Sequence, residues 1–382
     1  MLLIGLMSGT SADGIDAALV EIEKPGDFTV KLKHFVCLPW LPEIRAEILA
    51  CCRHDAPIQR VTALNFLLGA YFAEAAIQVA EEAGVQMTEV AAIASHGQTI
   101  WHQPAPFEIG GQQVTGTLQI GESSVIAERT GRTVISDFRT SDMALGGQGA
   151  PLVPFADYAL FGSPSESRCI QNLGGIANVT YLPAGGTLND LIAFDIGPCN
   201  LLLDEMVRLA FQNREFDEGG ELAMKGEVNE KSVEMILEHD FFKLKPPKST
   251  GREMFDSRYC SRLYDLLSLK NLTGYDILAT LCASIATSIG NAYRDFLPKD
   301  ERLKTVILGG GGVHNQRLTL ELRMRLPKLN VRTHSDFGIP DDAKEAIAFA
   351  LIGYETLHNR PSNVPAATGA RRLAVLGKVT RL

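Results

Sequence analysis

The 382-residue sequence predicts a two-domain α/β protein, and three of its features carry that reading. The first third alternates short apolar runs of strand character with segments whose apolar residues recur at helical spacing. After a glycine-rich stretch, Gly146-Gly147-Gln148-Gly149-Ala150-Pro151, the strand meander starts again. Late in the chain a buried run, Thr305 to Leu308, meets four glycines, Gly309 to Gly312, and then a helical segment. A chain of this length accommodates two domains of about 150 residues each, with some to spare. Hydrophobic residues at 46% and charged residues at 21% supply a sizeable core, which excludes disordered and fibrous classes.

The elements follow in order. Leu2 to Leu6 is apolar, and Ile15 to Glu23 and Phe28 to Cys37 come after turn signals, so three strands open the chain as a meander. Pro42 to Arg53 and Ile58 to Gly84 are helical, with Gly84 as a C-cap. Val90 to Ala94 is a buried strand ending in Ser95-His96-Gly97-Gln98; Thr117 to Ile120 is a strand, Ser123 to Thr130 a helix and Thr133 to Ser136 a strand. Arg168 to Leu173, Ala177 to Leu182 and Leu191 to Asp195 repeat the meander, with helices from Asn200 onward. The later half is helical around 231–241, 256–267 and 275–296, then gives the strand at Thr305, a helix from Asn315 to Leu326, a strand at Val331 to His334 and a helix from Asp341 to Leu357. The expected domains are 1–135 and 136–382, with a helix at about 358–382 packing back on the first.

Charge and cysteine usage narrow the function classes. With 36 Lys and Arg against 45 Asp and Glu the net charge is −9, and no long basic run appears, which argues against nucleic acid as a partner. Seven scattered cysteines form no C-x-x-C pair and no spacing suited to zinc, as expected of reduced thiols in the cytoplasm. The apolar N-terminus has no preceding positive charge and runs into Asp13 and Asp16, so it reads as a strand and not as a signal peptide. The apolar window Ile277 to Ala292 is interrupted by small polar residues and reads as a buried helix, so no membrane partner is expected.

Three glycine-bearing turns at strand ends are the main chemical signal. Small residues let backbone N–H groups approach phosphate oxygens, and Ser8, Thr10 and Ser11 add hydroxyl donors. One such turn is usually only a turn; three in a two-half α/β chain point to phosphate. No G-x-x-x-x-G-K-[ST] and no dinucleotide fingerprint after the first strand is present. Carboxylates at strand ends, Asp13, Asp16, Asp137, Asp142 and Asp195, supply the second signal, because phosphoryl transfer needs one to hold Mg²⁺ and one to accept a proton. Any one of them alone is more often an Asx-turn or helix cap; Asp195 stands out because Ala193-Phe194 precede it in an apolar strand and Gly197-Pro198 follow. His96 and His102 flank Gln98 and Trp101, a mixture able to line a sugar pocket or to serve only as a hydrogen-bonded loop. Lys248-Ser249-Thr250-Gly251-Arg252-Glu253 is either an anion-reading loop or a helix start, and Glu345 is a lone acid on an otherwise apolar helix.

These residues together resemble the anhydro-N-acetylmuramic acid kinases of bacterial cell-wall recycling. The resemblance runs from Gly5 to about Gly369 and rests on the ordered motifs Gly5 to Asp16, Ser95 to Thr99, Leu118-Gln119-Ile120-Gly121, Asp137-Phe138-Arg139, Gly146 to Leu152, Asn172-Leu-Gly-Gly-Ile-Ala-Asn178, Phe194 to Pro198, Pro247 to Glu253, and Gly309 to Gly311 with Asn315. It implies an actin-like fold of the sugar kinase, hsp70 and actin type, each domain a mixed sheet flanked by helices. It implies ATP and Mg²⁺ as cofactors, and a reaction that hydrolyses the 1,6-anhydro ring of 1,6-anhydro-N-acetylmuramic acid and phosphorylates O6. Gly9, Thr10, Ser11, Ala12, Asp13, Gly14, Ile15 and Asp16 would form the first phosphate hairpin; Asn172, Gly174, Gly175 and Asn178 the second; Gly309, Gly310, Gly311 and Asn315 the loop near the nucleoside. Asp195 would be the base that activates water, and His96, Gln98, Gln119, Asp137, Arg139, Gly149 and Glu345 would meet the sugar. A homodimer is implied by the family alone.

Two positions depart from the family pattern. Cys199 stands where members usually have a glycine, putting a side chain where close approach is otherwise allowed, and Thr140-Ser141 follow Arg139 where members have two further arginines. A kinase for another anhydro or amino sugar, decided around Arg139 to Ser141, remains open at this level. So does an ATP-driven sensor or phosphatase of the same fold, which would turn over ATP without a sugar acceptor.

Overall fold

The computed structural model describes residues 1–9, 12–23, 29–246, 248, 250–251 and 254–381. The chain forms two compact units, Met1–Leu160 with Gly338–Leu382, and Phe161–Phe337. The first unit carries β1 (Leu2–Ser8), β2 (Gly14–Glu23), β3 (Thr29–Pro39), β4 (Val90–Ile109), β5 (Gln112–Ile120) and β6 (Thr133–Ser136). The second carries β7 (Ser167–Leu173), β8 (Ile176–Leu182), β9 (Ile192–Pro198), β10 (Leu303–Gly309) and β11 (Asn330–Thr333), after which β12 (Lys378–Thr380) returns to the first.

Both sheets are mixed and share one plan. In the first, β1, β2 and β3 form an antiparallel meander, β4 lies parallel to β1 and β6 parallel to β4, with β12 antiparallel on the β6 edge. In the second, β7, β8 and β9 form the meander, β10 lies parallel to β7 and β11 parallel to β10. The connections from β1 to β2 and from β7 to β8 therefore occupy equivalent places, joining the first two strands of each meander. This is the two-unit α/β arrangement expected from the sequence.

Helices cover each sheet because their apolar stripes need burial. In the first unit the helix Ile58–Glu82 buries Leu64, Leu68, Phe72 and Val79 with Ile4, Leu6 and Leu19 of the sheet. The helix Lys344–Leu357, apolar almost all round, packs on β1, β2 and β4. Its approach to β1 is so close that a β-carbon at Gly5 would fall on the carbonyl oxygen of Ala346. Glycine at that position thus decides where Glu345 can lie. In the second unit the helix Gly274–Phe296 buries Ile277, Leu278, Leu281, Ile285 and Ile289 against Val306, Leu308 and their neighbours.

The expected domain limits need correction. The chain crosses between units at 160/161 and 337/338, and not at 135/136. The glycine-rich stretch 146–151 stays in the first unit because the buried carboxylate of Asp142 gathers it. Asp142 accepts from the Gly149 N–H at 2.9 Å, from Asn363 Nδ2 at 2.9 Å and from the Thr368 hydroxyl at 2.8 Å, tying the loop to the returning C-terminal segment. That segment is not a helix at 358–382: Pro361 and Pro365 interrupt it, and its regular elements are the turn Pro365–Thr368 and β12. The strand expected to end at Ala94 runs on to Ile109, where Gly110 and Gly111, both at positive φ (58° and 78°), turn it back into β5 as a two-stranded ribbon.

Candidate active site

The first hairpin is held from below. The Ala12 N–H donates to the Gly9 carbonyl at 3.1 Å, Arg45 Nε donates to the Ala12 carbonyl at 2.9 Å, and the Trp40 N–H donates to the Asp13 carbonyl at 3.0 Å. Thr10 and Ser11 lie outside the described residues. The buried Gln98 amide accepts from the Ser8 hydroxyl at 2.7 Å and donates to the Gly9 carbonyl at 3.2 Å. Its polar atoms are thus engaged inside the protein, and its place is under the hairpin. Gly14 begins β2 opposite Pro39, and Ile15 is buried behind it.

Asp13 and Asp16 rise from this hairpin beside Glu345 and Asp342. Loss of solvation raises the Asp16 pKa, a hydrogen bond from Cys37 across the β2–β3 pair opposes this, and the charges of Asp13, Glu345 and Asp342 raise it further. Crowding by protein atoms likewise raises Glu345; Lys344 and Arg139 pull it down, and Asp13 adds to the rise. Lys344 is itself buried in an ion pair with Asp157 at 2.7 Å.

Arg139 is aimed by two acceptors. Its Nε donates to His96 Nε2 at 3.0 Å and its Nη1 to the Gly149 carbonyl at 2.8 Å. Because His96 Nε2 accepts, Nδ1 carries the proton and donates to the Gly97 carbonyl at 2.9 Å. Burial first, and then the Arg139 charge, hold the ring at a pKa of about 3, so the imidazole is neutral. His96 also packs on Phe349, from the same helix as Glu345, with ring centroids 4.6 Å apart. The sequence suggests His96 and Gly149 as sugar contacts; in the structure His96 Nε2 and the Gly149 carbonyl both accept from Arg139. Asp137, at a positive φ of 57°, is ion-paired with Lys378 at 2.9 Å on the β6–β12 edge. Gln119 donates to Thr117 Oγ1 at 2.7 Å and His102 meets the same hydroxyl at 3.1 Å, both on the β4–β5 ribbon.

In the second unit the hairpin Asn172–Asn178 is docked on the helix Asn200–Ala210. The Gly175 carbonyl accepts from Cys199 N–H at 2.9 Å, and the Gly174 carbonyl accepts from Asn200 N–H at 3.0 Å. Asn172 and Asn178 pair directly across β7 and β8. The glycines at the end of β10 divide by what surrounds them. A β-carbon at Gly309 would strike the ring of His334 and one at Gly310 would strike Asn172 and Leu173, so internal packing requires both. At Gly311 and Gly175 the nearest atoms would be 3.7 and 3.8 Å away, ordinary contact distances, so internal packing does not require glycine at either position. Asn315 caps the helix Gln316–Arg325 through Leu318 N–H at 3.0 Å.

Asp195 lies on β9, the edge strand of this sheet, opposite Asn178. Its N–H donates to the Lys248 carbonyl at 3.1 Å and its Oδ2 accepts from the Thr250 N–H at 3.0 Å. A half-buried carboxylate oriented by a backbone donor can take a proton in a fixed direction. Thr250, whose loop the sequence leaves open as an anion-reading loop or a helix start, supplies that donor; Pro247, Ser249, Arg252 and Glu253 lie outside the described residues. Cys199 does not crowd the site: its side chain is wholly buried in the core, where burial pushes the thiol up to about 12.

The family model described as anhydro-N-acetylmuramic acid kinase matches residues 1–381. The chain is 45% identical over 382 residues to the anhydro-N-acetylmuramic acid kinase of Caldanaerobacter subterraneus subsp. tengcongensis, covering 99% of this chain and 96% of that one. It is 46% identical over 387 residues to the enzyme of the same name from Bacillus cereus (strain AH187), covering 100% and 99%. Among solved structures it is similar to (R)-2-hydroxyglutaryl-CoA dehydratase component A of Acidaminococcus fermentans, 14% identical, with a TM-score of 0.46 and coverage of 94% of this chain and 99% of that one.

Proposed function

The chain belongs to the anhydro-N-acetylmuramic acid kinase family, and on that premise we propose how its residues share the reaction. It is a kinase that uses ATP and water to convert 1,6-anhydro-N-acetylmuramic acid into N-acetylmuramic acid 6-phosphate and ADP, a step in the recycling of cell-wall peptidoglycan. The observation that carries this activity is the family match over residues 1–381.

Asp195 is the general base. It takes a proton from water, the water oxygen bonds to the anomeric carbon, and the bond from that carbon to O6 breaks. The released O6 attacks the γ-phosphorus as ADP departs. The Thr250 N–H supports this role by fixing the carboxylate before the reaction. Arg139 and Glu345 hold the sugar, Arg139 meeting its lactyl carboxylate and Glu345 its ring. Preorganisation of Arg139 by His96 and Gly149 supports the assignment, because an oriented guanidinium loses little freedom on binding a carboxylate. The hairpins at Gly9–Asp16 and Asn172–Asn178, with Gly311, hold the phosphate chain.

Among the described residues no group of three or more His, Cys, Asp or Glu side chains could hold a metal ion by itself. The mutually repelling carboxylates of Asp13 and Asp16 suit a hard cation that arrives with the nucleotide and keeps much of its water. When bound, Mg²⁺ neutralises charge on the transferring phosphoryl group.

The deciding measurement is mass spectrometry of the product formed from Mg·ATP and 1,6-anhydro-N-acetylmuramic acid, with ADP followed in parallel. A product heavier than the sugar by one phosphoryl group plus one water is expected. Equal ADP release without sugar would make the protein an ATPase or sensor instead.

The working form is a cytoplasmic homodimer. Seven free thiols support a reducing compartment. One helix, Ile58–Glu82, is long and apolar enough to cross a membrane, but its buried face belongs to the core of the first unit. For the dimer, support comes from one face of the β4–β5 ribbon. Trp101 pairs with Leu118 and Phe107 with Val114, and these side chains with Ile109 are 43–61% exposed. An isologous interface needs a patch that matches itself, and a flat apolar stripe does. Light scattering should give twice the chain mass for the wild type and the single-chain mass for Phe107→Glu/Ile109→Glu; an unchanged dimer would move the interface elsewhere.

A further inference from the structure

We propose that Lys248 is a positioning residue for Asp195, acting through the main-chain groups of Lys248 and Thr250 and not by touching either substrate; the proposal rests on Asp195 being the base. β9 is an edge strand, so only one of its sides is satisfied by β8. On the other side the Asp195 N–H meets an acceptor and the carboxylate a donor, supplied by Lys248 and Thr250. The Lys248 carbonyl takes the N–H at 3.1 Å, and the Thr250 N–H meets Oδ2 at 3.0 Å. Neither Lys248 nor Thr250 belongs to a helix or strand, so contacts beyond their own backbone must fix them.

The Lys248 side chain provides the anchor. Its ammonium donates to the Phe241 carbonyl at 3.2 Å and lies 4.7 Å from the Phe241 ring centroid and 4.9 Å from that of Phe296. A cation between two ring faces and a carbonyl has direction as well as attraction. These partners sit on the helices Asp240–Lys243 and Gly274–Phe296, so the cage ties Lys248 to the rigid part of the unit. The Asp195 charge reaches Lys248 and favours its protonated form, while loss of solvation around the ammonium works the other way and is the larger influence. Beside the lysine is a cavity of about 270 Å³ lined also by Ile196, Leu237, Phe242 and Ser288.

The test compares Lys248→Met, which keeps the stem between the rings but removes the charge, with Lys248→Arg, whose guanidinium can stack on the same rings and has the cavity to occupy. For Lys248→Met, kcat should fall about tenfold or more, while KM for ATP and for the anhydro sugar stays within about threefold. With the Thr250 donor loosened, the carboxylate loses stabilisation, so the acid limb of the kcat/KM profile should move up by about half a pH unit or more. Lys248→Arg should restore most of kcat and the limb. Phe296→Leu, which opens the cage without touching the charge, should shift the limb in the same direction by less, and it carries the test if Lys248→Met does not fold. A wild-type kcat and limb in Lys248→Met would overturn the proposal. So would a tenfold rise in either KM at constant kcat, which would place Lys248 on a ligand. If Asp195→Asn itself retains full activity, the reading of Asp195 as the base fails first; if that variant is inactive while Lys248→Met behaves as wild type, only the positioning role fails.

Discussion

Asp195→Asn is expected to lower kcat by about three to four orders of magnitude while leaving ATP affinity nearly unchanged. The substitution isolates basicity from shape. Asparagine has the same outline as aspartate, its side-chain carbonyl can still accept from the Thr250 N–H, and the main-chain bond from residue 195 to the Lys248 carbonyl is untouched. What disappears is the ability to take a proton from water at the moment its oxygen bonds to the anomeric carbon. Without that transfer the anhydro bond must open with neutral water as nucleophile, and O6 is not released for phosphorylation. Steady-state kinetics with the anhydro sugar, alongside ATP titration by calorimetry, separates the two quantities. A near wild-type kcat would remove Asp195 as the base, and a loss of ATP binding would mean that the carboxylate helps to hold the nucleotide.

The parts of this site that the sequence made legible are those written in consecutive residues. A small-residue turn between two apolar runs is a local pattern, so both hairpins could be placed; Asp195, expected at the end of a strand, instead lies in the middle of β9, which runs on to Pro198. The Arg139 arrangement was out of reach for the opposite reason. His96 lies within the buried half of β4, Gly149 in a loop and Phe349 on the last long helix, and only tertiary packing brings His96 and Gly149 to one guanidinium with Phe349 against the imidazole. Read alone, His96 and Gly149 look like ligand contacts; in the fold they orient the residue that is proposed to make one. Asp142 misleads in the same way, since its carboxylate is spent on Gly149, Asn363 and Thr368. The domain limits were missed because the first unit is discontinuous, and no local composition marks a return after more than a hundred residues. The β4–β5 ribbon did carry a readable signal: Gly110-Gly111 are flanked by apolar residues at alternate positions, Phe107 and Ile109 before them and Val114 and Leu118 after. For Cys199 the sequence offered a side chain and no direction, and the direction, into the core, is what makes it harmless to the site.

Glu345→Gln is expected to separate function from stability, losing activity while gaining a little in melting temperature at neutral pH. The helix bearing it is pressed onto β1 at Gly5, which fixes Glu345 beside Asp13 and Asp16. Crowding and the Asp13 charge raise its pKa above the ordinary carboxylate value even though Lys344 and Arg139 oppose them. A carboxyl with a raised pKa binds its proton more readily in the folded chain than in the unfolded one. Folding is therefore favoured most below the ordinary value of 4.5 and loses stability as pH rises through the raised one. At pH 7 the charged form is present and costs stability, and glutamine removes that cost along with repulsion on Asp16. Because the side chain is open to water on one side, screening keeps the gain small, a rise in Tm of roughly 1–2 °C. Scanning calorimetry at several pH values checks the sign: the variant should melt above the wild type at pH 7, and the difference should shrink toward pH 4. Meanwhile kcat/KM for the anhydro sugar should fall about a hundredfold, because a neutral amide cannot supply the charge that a developing cation on the sugar ring requires. A variant that is more active would show the carboxylate to be a liability without a role, and one that melts lower at pH 7 would show that Lys344 and Arg139 outweigh the crowding.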